Sequence, residues 1–118
     1  MKGAVKIKKN DGNLPEIIKD DIADIVKNFL CSQFSDNIKK IILFGSFANK
    51  KYQPDSDIDI AVVIKNRPPK KQLADYYLAA DNIWRVVDLL FCTEEQLLSG
   101  KYVYSEILRE GVIVYENI

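Results

Sequence analysis

Ile41-Ile42-Leu43-Phe44-Gly45-Ser46-Phe47-Ala48-Asn49-Lys50-Lys51-Tyr52-Gln53-Pro54-Asp55-Ser56-Asp57-Ile58-Asp59-Ile60-Ala61-Val62-Val63-Ile64 is the stretch on which the fold turns. Ile41 to Phe44 is a continuous apolar run, the pattern of a strand covered on both faces. Gly45-Ser46 breaks it, and a short helical or loop segment follows up to Pro54-Asp55. Ser56 to Ile64 starts in alternation and ends fully apolar, which predicts a second strand. Side chains two apart in a strand share a face. Asp57 and Asp59 therefore stand side by side, while Ile58 and Ile60 face the other way.

Working outward, Ile17, Ile18, Ile22, Ile25, Val26, Phe29 and Leu30 recur at three- and four-residue spacing, the stripe of an amphipathic helix. Pro15 suits its first turn, and the pattern fades near Ser35-Asp36-Asn37. Residues 1–13 are polar and are expected to form a loose arm or a short edge element. Beyond Ile64, Asn66 to Pro69 is a turn. Lys70 to about Trp84 reads as a helix with Leu73, Tyr76, Tyr77, Ala80 and Ile83 on one side. Val86 to Phe91 is a third strand, apolar except for Asp88. Thr93 to Leu98 begins a short helix, with Thr93 as N-cap and Gln96 completing a capping box. Tyr104 to Arg109 is helical and closed by Gly111, and Val112 to Tyr115 is a last strand. Helices alternating with strands imply an α/β (α+β) domain with one central sheet of about four strands, taken to span residues 1–118.

Composition narrows the function. The chain has 118 residues, is 47% hydrophobic, and balances 17 basic against 17 acidic side chains. That supports one folded core and argues against strong direct nucleic-acid binding, which would demand a basic excess. The absence of histidine removes His–Asp dyads, His-ligated zinc and histidine pH switches. Cys31 and Cys92 sit far apart in apolar runs and read as reduced core residues of an intracellular protein. No apolar run approaches the ~20 residues a membrane helix needs, so the expected location is cytoplasmic, away from membranes. The tyrosines and Trp84 read as core or rim, and Lys65, Arg67, Lys70 and Lys71 as a solvated surface.

The chemistry concentrates between residues 45 and 88. Two carboxylates at strand spacing repel each other unless a cation lies between them, and hard oxygen ligands suit Mg²⁺ or Mn²⁺. Gly45 lets an anion approach the backbone. The following amides and the Ser46 hydroxyl can donate to phosphate oxygens, helped by the dipole of a following helix. Asp88 is the only charge in Val86-Val87-Asp88-Leu89-Leu90-Phe91, and a buried carboxylate needs a partner. A metal shared with Asp57 and Asp59 would serve, and a third carboxylate is suited to orient an attacking hydroxyl. The plainer readings are a strand-to-helix turn capped by Ser46, aspartates belonging to a surface turn, and a core-edge Asp88 bonded to backbone amides.

Gly45-Ser46, ten intervening residues and Asp57-Ile58-Asp59 resemble the signature of the DNA polymerase β-type nucleotidyltransferase superfamily. The small size resembles its minimal nucleotidyltransferase (MNT) branch. The likeness covers about Ile38 to Phe91 and extends loosely to Ile107–Val112. It implies a palm-like sheet, a two-Mg²⁺ mechanism and ATP or another nucleoside triphosphate as donor. Gly45 and Ser46 would hold the triphosphate, Asp57 and Asp59 would bridge the metals, and Asp88 would bind the catalytic metal and help deprotonate the acceptor. Members of the branch commonly pair with a HEPN-domain protein as toxin and antitoxin, so the resemblance implies AMP transfer to a hydroxyl of such a partner in a hetero-oligomer.

One departure stands out. Relatives often read Gly-Ser-x-Ala-Arg-Gly, whereas this chain has Asn49 and Lys50. Either Lys50 adopts a left-handed conformation at some cost, or the loop differs. Lys50 and Lys51 are the candidates to restore positive charge near the phosphates. Two further readings stand beside the leading one: a non-catalytic module that neutralises or scaffolds a HEPN-type partner, and an antibiotic-modifying transferase, for which the short chain offers little second wall.

Overall fold

The computed structural model describes residues 14–32, 35–67, 69–81 and 85–117. The predicted arm at 1–13, and Ile83 and Trp84 at the end of the helix predicted from Lys70, lie outside these residues. The order is α1 (Lys19–Leu30), β1 (Ile38–Phe44), α2 (Ser46–Asn49), β2 (Ile58–Ile64), α3 (Lys70–Asp81), β3 (Val87–Thr93), α4 (Glu94–Leu98), α5 (Val103–Glu110) and β4 (Val112–Glu116), with 3₁₀ turns at Glu16–Ile18 and Ser35–Asn37. The sheet runs β3-β2-β1-β4. β1 is antiparallel to both β2 and β4, and β2 is parallel to β3, so the sheet is mixed.

Strand alternation divides the core in two. Ile58, Ile60, Val62 and Ile64 of β2 join Ile41 and Leu43 of β1 under α1 and Tyr76 of α3. Ala61 and Val63 take the opposite face with Ile42 and Cys92, under Leu97 of α4 and Ile107 of α5. Helices thus cover both faces, which is why β1 and β2 read as nearly unbroken apolar runs. Asp59 lies between Ile58 and Ile60 in a strand, so it falls on the α4–α5 face.

Several expectations change in detail. A 3₁₀ turn precedes α1 and leaves Ile17 exposed, outside the stripe that buries Ile18, Ile22, Ile25, Val26 and Phe29. Tyr77 is 53% exposed, whereas Tyr76 on the same helix is fully buried between Phe29 and Phe91. Cys31, just past the end of α1, is exposed and is not a core residue. Cys92 is buried, and burial pushes its thiol up to about 11, which makes it inert. The capping box is present: Thr93 Oγ1 accepts from the Gln96 amide at 3.2 Å, and Gln96 Oε1 accepts from the Thr93 amide at 2.9 Å.

Gly111 ends α5 without a left-handed turn, at φ −65° and ψ 146°. It is glycine for a steric reason. A Cβ there would stand 2.7 Å from Cγ2 of Ile42 and would also strike the Ile107 carbonyl. The bare backbone lets the α5–β4 junction lie directly on β1.

Candidate active site

The candidate site forms where β1 ends and β2 and β3 begin. β2 starts at Ile58, two residues later than the alternation suggested, because 53–56 close into a turn of their own. The Ser56 amide donates to the Gln53 carbonyl at 3.0 Å, and the Gln53 amide to Ser56 Oγ at 2.8 Å. Ile58 then opens the ladder by donating to the Val86 carbonyl at 2.9 Å. Asp57 is therefore the exposed residue immediately before the strand.

Register assembles the rest. Asp59 pairs with Phe44 at the end of β1 and, on its other side, with Asp88 at the start of β3. In a parallel pair, matched residues project to the same face, so the two carboxylates meet. Asp88 is exposed, not buried as its apolar flanks suggested, because β3 is the outer strand of the sheet. Its position needs no buried partner.

Asp59 carries the electrostatic load. Its carboxyl is pushed up to about 6, first by partial burial and then by Asp88, Asp57 and Glu106. Glu106 on α5 is a third acidic neighbour of Asp59 that the strand pattern could not reveal. Glu106 precedes the core residue Ile107 on α5, and the packing of that helix on the sheet sets its proximity to Asp59.

Gly45 closes the other side. It sits at φ +76° and ψ −155°, and a Cβ there would lie 2.9 Å from Cγ and 3.1 Å from Cβ of Asp59. The glycine is required by the carboxylate packed on it, quite apart from any anion. α2 has a single turn whose N-cap is Gly45, so Ser46 does not cap it. The Ser46 hydroxyl makes no hydrogen bond among the described residues. One turn of aligned peptides gives only a small dipole, so loop amides and the hydroxyl are the donors this segment offers.

Every donor at the acidic end is a hard carboxylate oxygen, and mutual repulsion is the cause of much of the Asp59 shift. A divalent cation fits that donor set and relieves that repulsion. Among the described residues no group of three or more such side chains already converges at metal-holding distance.

The sequence model of the polymerase beta nucleotidyltransferases matches residues 21–117. The chain belongs to that family. These nucleotidyltransferases generally work with divalent metals. Two proteins of Methanocaldococcus jannaschii, both provisionally named protein adenylyltransferases, are similar to it. One is 33% identical over 55 residues, or 44% of this chain and 56% of the relative. The other is 56% identical over 36 residues, or 30% and 36%. The chain thus matches about half or less of the length of these curated relatives. Among solved structures, a provisionally named nucleotidyltransferase from Sulfolobus solfataricus aligns over 97% of this chain and 93% of its own, with TM-score 0.56 and 24% identity. A toxin–antitoxin structure with AMP-PNP aligns over 80% and 73%, with TM-score 0.53 and 25% identity. The toxin–antitoxin pair MntA–HpeT aligns over 80% and 71%, with TM-score 0.57 and 21% identity.

The loop after Ser46 carries Asn49 and Lys50. Lys50 takes up the left-handed conformation, φ 67° and ψ 21°, as its amide caps α2 on the Ser46 carbonyl. Lys51 follows with its amide on the Ser46 carbonyl and on Asn49 Oδ1, both at 3.0 Å. The backbone keeps the turn and Lys50 bears its strain. Lys50→Gly is expected to raise stability by about 0.5–1 kcal/mol, read as a higher urea midpoint.

Proposed function

We propose that the chain transfers AMP from ATP to a hydroxyl on a partner protein. The observation that carries this reading is the meeting of Asp59 with Asp88 and Asp57 beside Gly45 and Ser46. In this reading Asp57, Asp59 and Asp88 hold two Mg²⁺ ions, with Mn²⁺ as a substitute. Bound there, the ions would supply Lewis acidity at the α-phosphate and neutralise charge on the leaving pyrophosphate. The chain's own residues do the remainder. The Gly45–Ser46 backbone and the Ser46 hydroxyl orient the triphosphate, and Lys50 adds positive charge beside it. Asp88, on the open edge of the sheet, accepts the proton of the attacking hydroxyl. Two features of relatives support the choice of donor and acceptor: the name protein adenylyltransferase, and the nucleotide analogue in a structurally similar toxin–antitoxin complex. A HEPN-domain protein is the partner this reading assigns, and the cytoplasm its setting. Among the described residues no helix is long and apolar enough to cross a membrane.

The test is transfer from ATP labelled at the α-phosphate, with Mg²⁺, in the presence and absence of the protein encoded beside this one. Label on the partner, absent with Asp57→Asn, is the expected result. A stable complex that never acquires label would favour the second reading, a non-catalytic module that neutralises its partner by contact. The strained Asn49-Lys50 loop is the feature that favours it.

A further inference from the structure

Arg85 is the only buried charged residue among the described residues, 5% exposed. Its contacts reach the segments that frame the site. Nη1 donates to the Pro54 carbonyl at 2.5 Å and to the Ser56 carbonyl at 3.3 Å, on the turn that delivers Asp57. Nε lies 3.6 Å from Asp21 Oδ2 on α1. The guanidinium carbon stands 5.4 Å from the ring centre of Phe47, the residue after Ser46, and Phe47 stacks on Tyr52 at 4.7 Å. The next residue, Val86, accepts the Ile58 amide.

Burying a guanidinium is costly, and a core-filling role would be served as well by an apolar side chain. What an apolar chain cannot do is hold two carbonyls of one turn in a fixed orientation. We infer that Arg85 is a positioning residue: it locks the 54–56 turn so that Asp57 is held against Asp59 in a geometry that two carboxylates can share with one divalent cation. The inference rests on the metal-dependent reading above. It also makes a prediction opposite in sign to simple electrostatics. Removing a nearby positive charge should tighten cation binding by relieving Coulomb repulsion. Losing position should weaken it.

The experiment titrates Mn²⁺ alone, followed by the paramagnetic signal of the free ion, against wild type, Asp57→Asn, Asp21→Asn, Arg85→Met and Arg85→Lys. Each variant is first checked for native circular dichroism. Asp21→Asn breaks the same buried ion pair but leaves the clamp on Pro54 and Ser56, so it controls for stability. Arg85→Met is expected to raise the Mn²⁺ dissociation constant about tenfold, as loss of groups that orient metal ligands commonly does. Arg85→Lys, whose shorter side chain carries its ammonium less far toward the two carbonyls that Nη1 alone reaches, should fall between, and it decides the matter alone if the methionine variant does not fold. Asp21→Asn should match wild type. Unchanged or tighter Mn²⁺ binding on loss of the guanidinium would overturn the inference. So would equal weakening by Asp21→Asn. A wild-type affinity that Asp57→Asn leaves untouched would instead overturn the metal-dependent reading itself, and the inference with it.

Discussion

Asp59→Asn is expected to reduce nucleotidyl transfer by about 10³-fold or more while making the metal-free protein more stable. In the metal-dependent reading proposed above, the first effect follows from removing a charged ligand at the centre of the acidic group. The second follows from the burial, and then the repulsion, that push the Asp59 carboxyl up to about 6 from an ordinary 3.8. A carboxyl whose folded value is raised is a group whose ionised form strains the fold. The strain is fully present at neutral pH and disappears as pH falls through about 6 toward 4. A rise of that size would correspond to roughly 3 kcal/mol in a dry interior, and solvent screening at this half-exposed site reduces it to about 1 kcal/mol. The opposing group, Glu94, is held below its ordinary range by Lys39 and Lys40, so its stabilisation is lost only at lower pH. Urea unfolding in chelator should therefore show the variant ahead of wild type at pH 7.5 and level with it near pH 4.5. Added Mg²⁺ should stabilise wild type and leave the variant where it is. A gain that does not vary with pH would show that repulsion at Asp59 is not its source.

Gly45→Ala is the second large effect. The methyl would enter the space of the Asp59 carboxylate, and φ +76° with ψ −155° lies in a region nearly reserved for glycine. A loss of about 3 kcal/mol is expected, with transfer abolished because Asp59 must turn away. A double-mutant cycle separates the two causes. In an Asp59→Ala background the clash with the carboxylate disappears, so Gly45→Ala should cost about 1–2 kcal/mol less, the remainder being backbone strain and the 3.1 Å approach of the two Cβ atoms. Strict additivity would mean that the two residues do not touch in solution.

Much of this was legible in the sequence, for identifiable reasons. β1 and β2 are buried on both faces, and their apolar runs announce it. Asp57 and Asp59 interrupt such a run at strand spacing, and Thr93 with Gln96 spells out its own cap. What stayed hidden depends on neighbours that sequence does not place. Asp88 reads as buried when judged by its own strand, and only the sheet order makes it an edge residue in register with Asp59. Cys31 follows Leu30 in an apolar run, yet the helix has ended and the side chain turns outward. Gly45 looks like a provision for a ligand, whereas the nearest demand on it comes from within the chain. Arg85 and Glu106 are invisible to strand alternation. A lone arginine before an apolar strand was the one signal that could have drawn attention to the former.

The position of β3 at the rim of the sheet has a consequence for how the protein fails. Asp59 lies on the inner strand β2 and Gly45 directly follows the inner strand β1, and strands paired on both sides are expected to open only with the whole molecule. Asp88 sits on a strand with one neighbour, which can fray in a cheaper excursion. The acidic group is thus divided between two tiers of stability. On warming, chemistry that depends on Asp88 should fade below the global melting temperature, while the inner tier, and any cation affinity it confers, should persist until the sheet itself comes apart.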